Sequence, residues 1–117
     1  MPNTNVELLR RQLADFVRER DWSQFHSPKN LSMALSVEAA ELLEIFQWQT
    51  EQQSSDLDEE TQSRVAEELA DILLYTLLLS DRLGIDLVSA AQAKLQSNAR
   101  KYPAEKVRGS SRKYTDY

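Results

Sequence analysis

The chain has 117 residues, 41% hydrophobic and 28% charged, with two glycines, three prolines, one histidine and no cysteine. The length suits one domain, the scarcity of glycine and proline excludes a turn-rich β fold, and the missing cysteine excludes disulfides, zinc–thiolate sites and a thiol nucleophile. A net charge of −5 argues against a nucleic-acid polymer as partner, and the lack of a long apolar run or signal pattern leaves a cytoplasmic all-α protein with no membrane partner as the expectation.

A first helix is predicted from Val6 to Arg20, with Leu8, Leu9, Leu13, Phe16 and Val17 as its apolar stripe. A connection rich in large side chains follows, containing Trp22, Phe25 and His26. Ser27 and Pro28 then read as N-cap and first residue of a second helix reaching about Trp48. Thr50 to Ser55 is polar and reads as a loop. Asp56 with Glu59 offers a capping box for a third helix that ends near Leu83, with Gly84 as its stop. Asp86 caps a fourth helix from Leu87 to Lys101, which Pro103 ends. The basic segment beyond shows no periodicity. The expected division is a helical domain over 1–102 and a C-terminal tail over 103–117.

The second helix carries a chemical anomaly. Leu31, Leu35, Leu42 and Ile45 form its apolar stripe, and Glu38 falls inside that stripe with Glu41 at its edge. A carboxylate on a buried face is costly unless it is paired, hydrogen-bonded or bound to metal. The third helix repeats the pattern: Val65, Leu69, Ile72, Leu79 and Leu83 form its stripe, flanked by Glu68, Asp71, Tyr75 and Arg82. Each acidic pair has i, i+3 spacing, which sets both carboxylates on one helix face. Antiparallel helices would bring the four together, and four crowded carboxylates need counter-cations. Oxygen-only ligands favour Mg²⁺, with Mn²⁺ as a substitute. A salt bridge from Glu38 to an arginine is the alternative.

Leu73, Leu74, Leu77 and Leu78 lie off the main stripe of the third helix. A helix apolar nearly all round needs cover on more than one side, and in so short a chain a subunit interface is the expected cover. The charge is also divided. Residues 1–93 hold 7 basic and 17 acidic side chains, whereas 94–117 hold 7 basic and 2 acidic. The basic end is either a solvated terminus or an arm that closes on a polyanion. Lys94 and Asn98 share a helix face with Leu87 and Ala91, so Lys94 either snorkels to solvent or faces the acidic cluster.

These residues resemble the MazG-like nucleoside triphosphate pyrophosphohydrolases, an all-α superfamily marked by ExxE on one helix and ExxD on the next. Arg20-Asp21-Trp22, Phe25-His26-x-Pro28-Lys29-Asn30-Leu31, Phe46-Gln47-Trp48, Lys101-Tyr102-Pro103 and the run from Ser110 to Thr115 resemble its dCTP-hydrolysing branch. The likeness covers nearly the whole chain. It implies a four-helix subunit that assembles into a homotetramer, a dimer of dimers, with active sites at subunit contacts. It also implies Mg²⁺-dependent cleavage of a nucleoside triphosphate such as dCTP, or a modified dCTP, between its α- and β-phosphates. Glu38, Glu41, Glu68 and Asp71 match the metal ligands, and Glu41 is the suggested general base. Trp22 and Trp48 match aromatics that enclose the base. Tyr75, Arg82, Lys94, Asn98 and Tyr102 match further pocket positions, with Arg112 and Lys113 approaching the triphosphate. His26 either joins the substrate or makes a structural hydrogen bond in its loop. Leu13 departs from the animal pattern, which has a base-contacting histidine there.

Three other functions compete. A di-iron carboxylate bundle wants two Glu-x-x-His motifs, which one histidine cannot supply. A broader pyrophosphohydrolase acting on other canonical or damaged nucleotides differs only in its substrates. A non-catalytic interaction module would carry these acidic faces as solvated surface.

Overall fold

The computed structural model describes residues 5–111, and among them every regular element is helical. Four long helices occupy Asn5–Glu19 (α1), Pro28–Phe46 (α2), Glu59–Arg82 (α4) and Leu87–Lys101 (α5). Single turns at Glu51–Ser54 (α3) and Ala104–Val107 (α6), and a 3₁₀ turn at Ser23–Phe25, complete the described elements. No helix among the described residues is long and apolar enough to cross a membrane.

Local chemistry sets the boundaries. The Ser27 side chain accepts from the Asn30 amide at 3.1 Å, and Pro28 occupies the first helical position, as expected for α2. Helix α2 stops at Phe46, two residues before the expected Trp48, where the Gln49 amide turns back to the Phe46 carbonyl. The stretch expected to be a loop contains α3. There the Thr50 hydroxyl accepts from the Gln53 amide at 3.1 Å, while the Gln53 side chain accepts from the Thr50 amide at 2.9 Å. This reciprocal capping box satisfies two amides that a single turn would otherwise leave bare.

The same turn moves the start of the next helix. The Asp56 amide donates to the Gln53 carbonyl, so Asp56 belongs to the exit of α3. The cap of α4 is Asp58 instead, which accepts from the Thr61 amide at 2.8 Å. Helix α4 ends with Leu83 as C-cap and Gly84 at φ +68°, the left-handed geometry for which glycine carries no steric cost. Asp86 caps α5 through the Ser89 amide, as predicted. Helix α6 lies in the segment that showed no periodicity, for one turn is too short to display any.

The chain divides into two compact units between Gly84 and Ile85. In the first, α2 and α4 form the main helix pair and α1 packs on α4. Glu38 faces Glu68, and Leu31 shares a cleft with Leu78. Moving toward the N-terminus of α2 therefore means moving toward the C-terminus of α4, so the pair is antiparallel. Arg10 of α1 reaches Asp81 of α4 at 2.8 Å, a half-exposed ion pair of small energetic weight. Leu31 and Leu77 are each 1% exposed, and Val17 and Ser80 are also buried. Leu77 was expected to await cover from a subunit interface, yet it is buried within the chain. Leu69, expected in the core stripe, is instead 52% exposed. The second unit contains α5 and α6, and its Lys94, Arg100, Lys101, Lys106 and Arg108 are exposed.

Removing the cap of α2 through Ser27→Ala should cost about 1 kcal/mol and lower the thermal midpoint by a few degrees. Ser32→Ala, at an exposed hydroxyl bonded only to the Lys29 carbonyl, should stay within about 0.5 kcal/mol of the parent. Urea unfolding of both variants checks the difference.

Candidate metal centre

Helix α2 projects Glu38 and Glu41 from one face, and α4 projects Glu68 toward them. One oxygen from each of these three carboxylates lies within 4.8 Å of the others. Neighbouring donors around an octahedral Mg²⁺ are about 3 Å apart and opposite donors about 4.2 Å, given metal–oxygen distances of 2.0–2.1 Å. The cluster therefore has the scale of a hard-cation site. Asp71, one turn beyond Glu68, is half-buried and close enough for its charge to act on Glu38.

The electrostatics favour a cation there. The Oε2 atoms of Glu38 and Glu68 are both buried and have no hydrogen-bond partner. An unsatisfied buried acceptor is costly, and two of them side by side leave a place for positive charge. Glu38 is pushed up to about 7, first by the adjoining Glu68 carboxyl, then by burial, then by Glu41 and by the charge of Asp71. Near neutral pH the cluster thus retains a proton, which a divalent cation can replace. Among the described residues the charged groups acting on Glu38 are acidic, and no salt bridge from it to an arginine forms. The donor set, all carboxylate oxygen, fits Mg²⁺ or Mn²⁺.

The other sequence-predicted residues are spread along the chain. Tyr75 is half-buried two turns beyond Glu68 on α4. Arg82 lies fourteen residues beyond Glu68, about 21 Å along the helix axis at 1.5 Å per residue. It lines a cleft of about 120 Å³ with His26, Ser23, Asp81, Val17 and Leu31. Trp22 adjoins that end of α2, because its amide donates to the Val17 carbonyl at 3.1 Å. Its indole is 44% exposed and meets the Phe16 ring edge-on, with centroids 5.7 Å apart. Trp48, just past the opposite end of α2, is 88% exposed. Leu31 and Phe46 alone are separated by about 23 Å along α2, so the two tryptophans of one chain stand at opposite ends of that helix.

Lys94 and Asn98 project from α5 and Tyr102 is its C-cap, with the Tyr102 amide donating to the Asn98 carbonyl at 2.8 Å. Lys94 is exposed, whereas Asn98 and Tyr102 are half-buried. Arg112 and Lys113 lie outside the described residues. One residue passed over in the sequence is Asp21, the sole non-glycine at positive φ among the described residues. Its signal was present: α1 ends without a glycine, and aspartate tolerates the left-handed turn better than most residues.

Comparison with known proteins agrees with this architecture. A MazG-like family profile matches residues 33–117. The chain is 44% identical over 117 residues to dCTP pyrophosphatase 1 of Homo sapiens, an alignment that spans 98% of this chain and 69% of the relative. It is 42% identical to dCTP pyrophosphatase 1 of Mus musculus over the same shares. A crystal structure of a pyrophosphatase from Archaeoglobus fulgidus superposes with a TM-score of 0.81 at 39% identity, covering 88% of this chain and 96% of that one. With ExxE on α2, ExxD on α4 and an all-helical fold of that shape, the chain belongs to the MazG-like family.

Proposed function

We propose that this protein is a Mg²⁺-dependent pyrophosphohydrolase that converts dCTP, or a 5-modified dCTP, and water into the nucleoside monophosphate and pyrophosphate. The observation that carries this reading is the carboxylate cluster of Glu38, Glu41 and Glu68, with its two unpartnered buried oxygens. The relatives named dCTP pyrophosphatase supply the substrate class.

Hydrolysis of the α–β phosphoanhydride requires a positioned water and relief of negative charge on the phosphates. Glu38, Glu41, Glu68 and Asp71 would hold the cation, which when bound offsets phosphate charge and acidifies water. Glu41 is the proposed general base: its carboxylate accepts the proton of the attacking water as the water oxygen bonds to one phosphorus of the α–β anhydride and the bond from that phosphorus to the bridging oxygen breaks. Arg82, Lys94, Arg112 and Lys113 receive the charge of the departing pyrophosphate. Trp22 and Trp48 stack on the pyrimidine, a contact of about 1–3 kcal/mol per base. His26, Tyr75, Asn98 and Tyr102 complete the substrate pocket.

A complete site of this kind draws on more than one copy of the chain. An extended triphosphate cannot bridge the roughly 21 Å from Glu68 to Arg82 within one α4, and Trp22 and Trp48 of one chain do not flank a single base. The homotetramer implied by the family resemblance, a dimer of dimers, would supply the second copy. Apolar cover for it is available: Met33, Val37 and Leu43 on α2, and Leu69 and Leu73 on α4, are all exposed, more than scattered surface residues would explain. The boundaries proposed for the protein are a helical domain over 1–102 and a basic tail over 103–117 that closes over the phosphates.

Three measurements check this reading. With Mg²⁺, dCTP should yield dCMP and pyrophosphate, while EDTA abolishes turnover; equal rates on all four dNTPs would remove the pyrimidine pocket but keep the acidic site. Glu68→Gln should lower kcat by more than about 100-fold, beyond what loss of a ligand's supporting partner costs, with the oligomer intact by light scattering. Near-normal turnover would sink the metal-site assignment. The third measurement follows from the raised Glu38 pKa. The folded state binds a proton that the unfolded chain releases near pH 4.5, so stability is lost as pH rises from about 4.5 through about 7. The thermal midpoint of the metal-free protein should therefore fall across that window, and Mg²⁺ should raise it more at pH 8 than at pH 5.

A further inference from the structure

The corner that follows α1 is built at a conformational cost that a simple turn does not require. Asp21 has φ +54°, a region in which Cβ clashes with the backbone for L-residues and which glycine enters freely. The bonds around it form a Schellman closure: the Asp21 amide donates to the Arg18 carbonyl at 3.1 Å, and the Trp22 amide to the Val17 carbonyl at 3.1 Å. Glycine is the usual residue at this position, yet here an aspartate bears the strain.

Its side chain has a partner that glycine could not offer. The Gln24 amide nitrogen donates to both the Asp21 carbonyl oxygen, at 3.0 Å, and its Oδ2, at 3.2 Å. Gln24 sits in the 3₁₀ turn, where the Phe25 amide donates to the Trp22 carbonyl at 2.9 Å. Trp22 is thus held from both sides of its own peptide units. The side-chain surroundings are ordered as well. The Arg20 guanidinium lies over the Phe16 ring at 3.6 Å and donates to the Phe16 carbonyl at 3.0 Å, while the indole of Trp22 meets the same ring edge-on. All this fixes an aromatic side chain that remains nearly half exposed. A fixed, exposed indole gains little from burial; its orientation is of use to something that stacks on it. Strain retained against an easy alternative points to function.

We propose that Asp21 is a positioning residue for substrate: its left-handed backbone and its bond to Gln24 together hold the Trp22 indole at the angle that receives the nucleobase. The proposal rests on the assignment of Trp22 to the base pocket. It adds that the orientation of Trp22, and not only its presence, sets the affinity for substrate. Asparagine tolerates the left-handed region and keeps an oxygen for Gln24, so it should preserve the corner. Glycine removes the strain and the Oδ2 half of the Gln24 contact, leaving Gln24 only its bond to the backbone carbonyl of residue 21.

The test uses steady-state hydrolysis of dCTP with Mg²⁺ by the full-length protein, alongside thermal unfolding, for Asp21→Gly, Asp21→Asn and Trp22→Ala. Asp21→Gly is expected to keep or raise the thermal midpoint, to keep kcat within about twofold and to raise KM about three- to tenfold, a part of the loss that removal of a stacking aromatic brings. Asp21→Asn should restore KM to within about twofold of the parent, and Trp22→Ala should raise KM at least as much as Asp21→Gly. An unchanged KM in Asp21→Gly, with Trp22→Ala impaired, overturns the positioning role and leaves the base pocket standing. A lowered midpoint with kcat and KM both damaged in Asp21→Gly also overturns it, because the corner would then serve stability alone. An unchanged KM in Trp22→Ala instead removes the base-pocket assignment on which the proposal rests.

Discussion

Repulsion between carboxylates across the seam of α2 and α4 is the constraint on which the site depends. Glu38 lies within the apolar stripe of α2, where a charge is most expensive, and it faces Glu68 rather than a base. The buried Leu31 of α2 and Leu77 of α4 favour the helix contact, which opposes separation of the carboxylates. A proton or a cation must then occupy the space between them. The site is thus a locally unfavourable arrangement sustained by favourable packing around it, which is how binding centres are commonly held ready.

The acidic cluster was legible in the sequence because it violates periodicity. Glu38 falls where the spacing of Leu31, Leu35, Leu42 and Ile45 calls for an apolar residue, and Glu68 stands at the edge of the stripe that contains Val65 and Ile72. The breach at Glu38 needs a chemical reason, and the matching acidic pair on the facing helix supplies it. The caps of α2 and α5 were equally readable, since Ser27-Pro28 and Asp86 have no competing residue nearby. Asp56 and Asp58 do compete: each is followed three residues later by a plausible partner, Glu59 or Thr61. Only the end of α3, which uses the Asp56 amide, decides between them. A four-residue helix has no period to detect, so that decision was hidden.

The residues proposed for the substrate pocket are scattered along the chain. Trp22, Arg82 and Trp48 read as a stacking pair and a phosphate ligand, yet within one chain the length of α2 separates the two tryptophans and the length of α4 separates Arg82 from Glu68. Helical angle tells which side of a helix a residue occupies, but not how far along the axis it lies from its intended partners. Leu69 likewise read as core because its angle belongs to the stripe, yet it is 52% exposed.

The short turn α3 has a consequence for the order of assembly. Because it closes α2 and α4 into one hairpin, every acidic residue of the site comes from a contiguous stretch of a single chain. On the proposed reading, cation affinity is then set within one chain and independent of protein concentration. The enclosure of a base between Trp22 and Trp48, on the proposed reading, needs a second copy and follows mass action. Dilution would then dismantle the two halves separately, with discrimination among bases lost first and the grip on the metal last.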